Sequence, residues 1–178
     1  MKILDWNALD EAARDATLAR PLPERDQKLV AGVRAIIADV RMRGDAALFD
    51  LTERLDGCRL SSFEADADEF EAAEREVDDA VKAAMAAAID RVRRFHEAQV
   101  PERLRIHTEP GVLCEYLVRP IRRVGLYAPA GSAPLPSTVW MLAVPAKLAG
   151  CGEIVLATPP RADGRADPLI LTVARSCG

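Results

Sequence analysis

Residues 123–158 read RVGLYAPAGSAPLPSTVWMLAVPAKLAGCGEIVLAT, in which two short apolar runs flank a proline-rich loop and a longer apolar segment. The run from about Arg123 to Tyr127 and the mostly apolar run Glu153–Thr158 are predicted as strands, the second of the buried parallel kind. Between them, residues Ser137–Ala149 are predicted as a helix. The order of strand, loop, helix and strand is typical of a Rossmann-like unit.

Local signals mark the ends of the helices in this part of the chain. Ser137 is predicted as the N-cap of the first helix, and Gly150 as its C-terminal stop. Pro145 lies inside this helix and is expected to kink it or to end its regular part. A last helix is predicted after Asp167, whose side chain is suited to cap it, with Pro168 at its first position.

The first hundred residues have the pattern of amphipathic helices. Residues 28–43 place their apolar side chains on one face at helical spacing, and Gly44 is predicted to stop this helix. Asp45 is suited to cap a second helix, which Gly57 is predicted to end. A longer helix is predicted from about Asp68 to Ala98, because its apolar residues make one stripe at helical spacing. Acidic residues in its early turns and arginines in its last turns suit the helix dipole.

A further strand is predicted before the Rossmann-like segment. It follows the turn signal Glu109-Pro110-Gly111, and Pro120 is expected to end it. Val112, Cys114, Tyr116 and Val118 alternate with the residues between them, and strict alternation of this kind indicates a half-buried strand.

Together these patterns predict an α/β fold. An N-terminal helical region over residues 1–100 is followed by the start of an incomplete Rossmann-like parallel-sheet domain over residues 101–178. Two parallel strands do not make a stable sheet, and the last predicted helix ends where a third strand is expected. We therefore expect the chain to be the N-terminal portion of a larger protein, or the product of a truncated reading frame.

Composition excludes several classes of protein. The 178 residues carry 24 basic and 28 acidic side chains, a formal net charge of −4, so a strongly basic nucleic-acid binder is excluded. Aromatic residues make up only 4% of the chain, which argues against a surface that stacks bases. No apolar run is long enough for a signal peptide or a membrane span. A cytoplasmic protein without nucleic-acid or membrane partners is therefore predicted.

The cysteine pattern agrees with a reducing compartment. The four cysteines form no CxxC pair and lie too far apart for a secreted disulfide scaffold. Each is predicted to be a small buried apolar residue: Cys58, Cys114, Cys151 and Cys177.

The loop Gly125–Pro134 is the strongest candidate for a ligand site. It connects the carboxyl end of a strand with the start of a helix, which is where open α/β sheets bind ligands. The loop lacks the glycine fingerprints of phosphate sites, and its prolines remove amide donors, so it is interpreted as a rigid wall. Tyr127 is suited to lie against a flat ligand ring or to hydrogen-bond it; the alternative is a tyrosine packed under the loop.

Other candidate residues carry weaker signals. His96, His107 and Cys114 lack the spacing of metal ligands, and no Ser/His/Asp or Cys/His nucleophile arrangement is readable. Trp6 and Trp140 are predicted to anchor the core rather than to bind a ligand. The residues alone thus predict no catalytic group and no metal site.

The run from Arg119 to Pro160, with its Val-Gly-Leu-Tyr-Ala-Pro loop motif, resembles the histidinol dehydrogenase family. The resemblance extends over essentially the whole chain, including Leu4-Asp-Trp-Asn7 and Val40-Arg-Met-Arg-Gly-Asp-Ala-Ala-Leu48. It implies an enzyme that oxidises L-histidinol to L-histidine through the aldehyde with two NAD⁺, the last step of histidine biosynthesis. It also implies a homodimer with one zinc ion per site.

The resemblance assigns only one functional position to this chain. The family's NAD-contacting tyrosine corresponds to Tyr127. The family's Glu–His acid–base pair and its zinc ligands (a Gln, an Asp and two His) lie downstream of the region covered, so no catalytic or metal residue is assigned. One departure is that the usual Pro-Gly-Gly of the loop is Pro129-Ala130-Gly131 here. If the first glycine needs a positive φ or a close backbone approach, an alanine there would strain or crowd the loop. Because alanine is small, we expect the loop to tolerate Ala130.

The resemblance therefore predicts an NAD-dependent, zinc-dependent oxidoreductase, with the 178-residue chain inactive by itself. A different class remains open. The chain is alternatively a non-catalytic nucleotide-binding or assembly module, or the product of a truncated gene.

Overall fold

The structure is a computed structural model that describes residues 3–19, 26–130 and 133–178. Its elements confirm the predicted α/β fold: a 3-10 turn at Trp6–Ala8, then α1 (Glu11–Leu18), α2 (Gln27–Arg43), α3 (Asp45–Asp56), α4 (Ala67–Glu76), α5 (Asp79–Glu97), β1 (Leu104–Glu109), β2 (Val112–Tyr116), β3 (Arg123–Tyr127), α6 (Pro136–Leu148), β4 (Glu153–Ala157) and α7 (Pro168–Cys177). In these ranges, no helix is long and apolar enough to cross a bilayer.

The chain divides into two compact units, Met1–Ala47 and Leu48–Gly178. In the first unit, α1 and α2 contain no buried residue. The prediction that Trp6 anchors the core is wrong, because its side chain is 43% exposed and lies beneath the guanidinium of Arg14, 5.4 Å from the ring centroid. The predicted domain boundary at residue 100 stays a prediction.

The joint between α2 and α3 follows the glycine signals. Gly44 has a φ of +59° and donates its N–H to the carbonyl of Val40, which confirms that it stops α2. Asp45 is the first residue of α3 and does not precede it as a cap, so that prediction is wrong. Its charge still lies in the first turn, where the helix dipole favours an anion. Gly57, with a φ of +73°, follows the last residue of α3 as predicted.

The single long helix predicted over Asp68–Ala98 is wrong, because two helices occupy this stretch. Val77 is extended and donates its N–H to the carbonyl of Ala73, which closes α4. The Asp78 carboxylate then accepts from the N–H of Ala80 at 2.7 Å and caps α5. Because the helix breaks at this point, the Val77 side chain lies in the core of the second unit, where it is only 7% exposed.

Strands β1 and β2 form an antiparallel hairpin. The sequence predicts only the second strand, because the first reads as a polar stretch. The prediction of a half-buried strand is wrong: β2 is exposed at every position except Leu113. Cys114 is likewise exposed and not a buried apolar residue. It faces Ile106 across the hairpin, and Ile106 is itself 47% exposed, so the apolar face of the ladder is not covered.

The core of the second unit joins α4 and α5 to the strand–helix–strand–helix segment. Strands β3 and β4 pair in parallel, as predicted, and α6 packs on them. Helix α7 packs on α4, α5 and α6. The buried cluster consists of Val77, Met85, Ala128, Val139, Ile170 and Val173, with partly buried neighbours that include Trp140, Leu156 and Leu169. The prediction for Trp140 is thus confirmed.

The helix ends of this segment follow the sequence only in part. Helix α6 begins at Pro136 without a side-chain cap, so the prediction for Ser137 is wrong, and the helix continues through Pro145 to Leu148. Gly150 follows with a φ of +82°, as its role as a stop requires. In α7, the Asp167 carboxylate accepts from the N–H of Leu169 at 2.9 Å, which confirms the predicted cap.

Thr172 gives a test of this packing. It lies in α7, is 4% exposed, and its Oγ1 has no hydrogen-bond partner. A buried hydroxyl without a partner costs about 1–3 kcal/mol, so Thr172→Val is expected to raise the free energy of unfolding by about 1 kcal/mol. Urea denaturation measures this change. Thr172→Ser, which keeps the hydroxyl and removes the methyl group, is expected to destabilise; a loss of stability in Thr172→Val would contradict the assignment.

Candidate coenzyme-binding edge of the parallel sheet

The carboxyl ends of β3 and β4 meet at one edge of the parallel sheet. Tyr127, the last residue of β3, lies opposite Ala157, the last residue of β4. The N–H of Ala128 donates to the carbonyl of Ala157 at 2.9 Å and extends the ladder by one step. The loop that begins at Ala128 and the segment Thr158–Pro160 therefore leave the sheet side by side, at the edge where open α/β folds bind ligands.

Tyr127 is accessible at this edge. Exposure alternates along both strands, and Leu126 and Leu156 lie on the covered side, where Leu156 packs against the core. Tyr127 lies on the opposite, open side and is 59% exposed. This exposure argues against a tyrosine packed under the loop. The ring and hydroxyl are thus available to a ligand, and the contact itself stays a prediction.

Ala130 fits the loop without strain. No described residue other than glycine has a positive φ, so Ala130 occupies an ordinary backbone conformation. Its methyl group packs against the buried cluster of the second unit. The expected tolerance of this departure from Pro-Gly-Gly is therefore confirmed at Ala130, whereas Gly131 lies outside the described residues.

The loop offers few amide donors to a ligand. Pro134 and Pro136 have no N–H, and the N–H of Leu135 donates to the carbonyl of Pro129 at 3.2 Å. The N–H of Thr138 donates to the carbonyl of Leu135 at 3.0 Å. For the part of the loop that is described, this supports the interpretation of the loop as a rigid wall, as the sequence indicates. It argues against a loop that binds phosphate through its amides.

Sequence reasoning misses Thr158, the first residue after β4. Its Oγ1 is buried and has no hydrogen-bond partner, although the residue as a whole is partly exposed. No motif identifies this position. The only sequence signal is that it is the last residue of the strand predicted over Glu153–Thr158, whereas β4 ends at Ala157.

The histidines and cysteines do not come together. His96 lies in the last turn of α5 against the edge of the Phe95 ring, and His107 pairs with Leu113 in the hairpin. Within the three described ranges, no three His, Cys, Asp or Glu side chains form a group that could hold a metal ion.

The cysteines are unpaired and differ in burial. Cys58 is buried as predicted, whereas Cys151 and Cys177 are only partly buried. Burial raises the pKa of the Cys177 thiol, and the charges of Lys147 and Arg93 oppose that rise only in part. Because a raised pKa keeps the thiol protonated, Cys177 is a poor nucleophile at neutral pH.

Comparisons with known proteins agree with this architecture. The family model described as histidinol dehydrogenase matches residues 20–178. Histidinol dehydrogenase of Xanthomonas euvesicatoria is 53% identical over 178 residues, which are 100% of this chain and 41% of that protein. The Vibrio parahaemolyticus enzyme is 45% identical over 100% of this chain and 40% of that protein.

A solved structure gives the same result. The crystal structure of histidinol dehydrogenase from Elizabethkingia anophelis has a TM-score of 0.84 at 38% identity, covering 89% of this chain and 36% of that one. The chain thus spans about two fifths of the length of the curated relatives it matches. Because the family model matches nearly the entire sequence, the chain belongs to the histidinol dehydrogenase family.

Proposed function

We propose that this chain forms the N-terminal portion of an enzyme that oxidises L-histidinol to L-histidine. The observation that carries the proposal is the match over 100% of the chain to histidinol dehydrogenase of Xanthomonas euvesicatoria at 53% identity. The position of Tyr127 at the carboxyl edge of a parallel sheet supports it, because this edge is where such sheets bind dinucleotides.

In this proposal the chain contributes coenzyme binding and not proton transfer. NAD⁺, when bound, accepts a hydride; the four-electron oxidation of an alcohol to a carboxylate therefore consumes two NAD⁺, and water enters after the aldehyde is formed. Tyr127 holds a ring of the coenzyme through its exposed face or hydroxyl. The proline-rich loop forms a stiff wall beside it and limits where that ring can lie.

The zinc ion implied by the family does not fit the described residues of this chain. No group of three potential ligands exists among them, so no zinc-dependent step is assigned here. We place the zinc ligands and the acid–base pair of the complete enzyme in sequence that its longer relatives carry, and we propose that the complete enzyme is a homodimer. The proposed location is the cytoplasm, in keeping with four unpaired cysteines.

A chimera tests the proposed activity. The 178 residues are joined to the remaining part of the Xanthomonas euvesicatoria relative, of which this chain covers 41%. The chimera is expected to form NADH on addition of L-histidinol. The isolated chain is expected to be slower by at least about 10²-fold, because general acid–base catalysis alone contributes about 10²–10⁴-fold. Absorbance at the NADH band measures both rates.

The unmodified relative serves as the positive control for this experiment. A folded chimera that binds L-histidinol and NAD⁺ without forming NADH would contradict the proposed function.

A second candidate function is a non-catalytic module that binds a nucleotide or assembles with a partner. The observation that favours it is the two-stranded parallel sheet, in which β3 and β4 pair only with each other among the described strands. Unpaired sheet edges are sites of strand addition. This candidate predicts that the isolated chain binds NAD⁺ or a partner and that neither it nor the chimera oxidises L-histidinol.

A further inference from the structure

The loop between β4 and α7, residues 158–167, is bonded to α4. The carboxylate of Glu69, in the first turn of α4, accepts a hydrogen bond from the N–H of Ala166 at 2.7 Å. The two residues are 97 positions apart in the sequence, and the bond is partly buried. A hydrogen bond with an ionised acceptor is roughly twice as strong as one between neutral groups. This bond therefore fixes the end of the β4–α7 loop relative to α4.

The bond to the loop takes the place of a bond within α4. Asp66 caps α4 by accepting from the N–H of Glu69 at 2.8 Å, and the two residues have the spacing of a capping box. In a capping box the second side chain reaches back to the N–H of the cap residue. Here the Oε1 atom of Glu69 accepts from Ala166 instead. The side chain thus serves the loop in place of its own helix.

The rest of the β4–α7 loop is compact and lies against the same helical region. The N–H of Arg161 donates to the carbonyl of Arg165 at 2.8 Å, and that of Gly164 donates to the carbonyl of Arg161 at 2.9 Å. The Arg161 guanidinium lies 3.8 Å from the Glu76 carboxylate at the end of α4. A side chain at Gly164 would meet Leu60, in the segment before α4, at 3.4 Å. The loop is therefore one turn, supported by α4 and by the segment before it.

This loop begins at the candidate coenzyme edge. Its first residues, 158–160, leave the sheet beside the segment that follows Tyr127. Two of them are prolines, whose fixed φ limits independent movement of the backbone. A shift of the turn that follows would therefore also shift this part of the edge.

The loop ends at a helix that packs behind the same edge. Asp167, the residue after the bonded N–H, caps α7. Ile170 of α7 lies in the buried cluster together with Ala128, and Ala130 packs against that cluster. Ala128 and Ala130 belong to the loop that follows Tyr127. Because packed interiors transmit displacements, the position of the first turn of α7 affects the support of that loop.

We propose that Glu69 is a positioning residue for the coenzyme, acting through its bond to Ala166, which holds the β4–α7 loop in the conformation that binds NAD⁺. The inference rests on the proposed function, because it assumes that NAD⁺ lies at the edge marked by Tyr127. It deepens that function by giving α4 a part in coenzyme affinity. Apparent affinity falls with the fraction of molecules in the competent conformation, so loss of the bond weakens NAD⁺ binding.

Two substitutions separate the reach of the Glu69 side chain from its charge. Glu69→Asp keeps the charge but is shorter by one methylene group, so its carboxylate is expected to lose the bond to Ala166. Glu69→Gln keeps the length and presents an amide oxygen that still accepts from this N–H. In the chimera described above, Glu69→Asp is expected to raise the KM for NAD⁺ about fivefold and to change kcat less than about twofold. Glu69→Gln is expected to leave both constants within about twofold of the unsubstituted chimera.

Glu71→Asp is the matched control. Glu71 lies in the same helix, has a side chain that is 57% exposed, and pairs with Arg75 of α4 and not with the loop. This variant is expected to leave the KM for NAD⁺ unchanged. Hydrogen–deuterium exchange measured by mass spectrometry reports on the loop directly, and exchange of residues 161–167 is expected to be faster in Glu69→Asp than in Glu71→Asp.

The outcomes separate this inference from the proposed function. If the chimera oxidises L-histidinol and Glu69→Asp has the same KM for NAD⁺ as Glu71→Asp, the role of Glu69 is overturned and the proposed function stands. Equal rises of KM in Glu69→Asp and Glu69→Gln would assign the effect to charge at the start of α4 and would also overturn it. If the unsubstituted, folded chimera binds both substrates without forming NADH, the proposed function fails and the role of Glu69 fails with it.

Discussion

Replacing Ile170 with alanine is expected to lower the free energy of unfolding of the second unit by about 3 kcal/mol. Ile170 lies in α7, is 0% exposed, and is among the largest fully buried side chains, together with Val139 and Val173. The cost has two parts: the lost transfer of its methyl and methylene groups from water, and the cavity that remains. The cavity term is large here because α7 packs on three other helices.

Urea denaturation followed by far-UV circular dichroism measures this loss. Ile121→Ala is the matched control, because it removes the same atoms from a side chain that is 69% exposed. The control is expected to change stability by less than about 0.5 kcal/mol. Equal losses in the two variants would show that α7 does not pack as described.

This prediction is available because the strand–helix–strand–helix segment, apart from the start of α6, follows local signals. The Asp167 cap, the Pro168 at the first helical position and the glycine stops depend only on neighbouring residues, so the sequence reveals them. Parallel pairing of β3 with β4 follows from the short apolar runs on either side of a helix.

The wrong predictions fall where contacts between residues distant in sequence, and not neighbouring residues, decide the structure. The break at Val77 depends on burial of that side chain in the core cluster of the second unit, which helical periodicity alone does not reveal. The same periodicity continues through Asp78, whose carboxylate caps a new helix instead of extending the old one. Strand β1 is missed because its alternating Arg105, His107 and Glu109 read as a polar stretch until β2 pairs with it.

The candidate site shows the same division. Tyr127 can be predicted as a site residue from sequence, because it ends a predicted strand and the family resemblance points to the same position. The unpartnered hydroxyl of Thr158 cannot be predicted from sequence, because it depends on the three-dimensional packing around that residue. Ala130 is a third case, since only its backbone conformation and its packing against the core show that the methyl group is tolerated.

Replacing Tyr127 with alanine is expected to weaken NAD⁺ binding by the chimera about tenfold or more. Alanine substitutions show that stacking of a base on an aromatic side chain contributes about 1–3 kcal/mol. A loss in the upper part of this range weakens binding about tenfold or more. Because Tyr127 is 59% exposed and lies on the open side of the sheet, its removal is expected to leave the fold intact. Titration calorimetry with NAD⁺ measures the change in affinity.

Two further variants identify what the tyrosine does. Tyr127→Phe keeps the ring and removes the hydroxyl, so affinity close to that of the unsubstituted chimera would assign the contact to the ring, whereas a loss as large as that of Tyr127→Ala would assign it to the hydroxyl. Tyr116→Ala is the matched control: Tyr116 is the other tyrosine of the chain, lies in the hairpin and is 58% exposed. It is expected to leave NAD⁺ affinity unchanged. If both alanine variants bind NAD⁺ as tightly as the unsubstituted chimera, the coenzyme does not lie at the carboxyl edge of β3, and the assignment of Tyr127 is wrong.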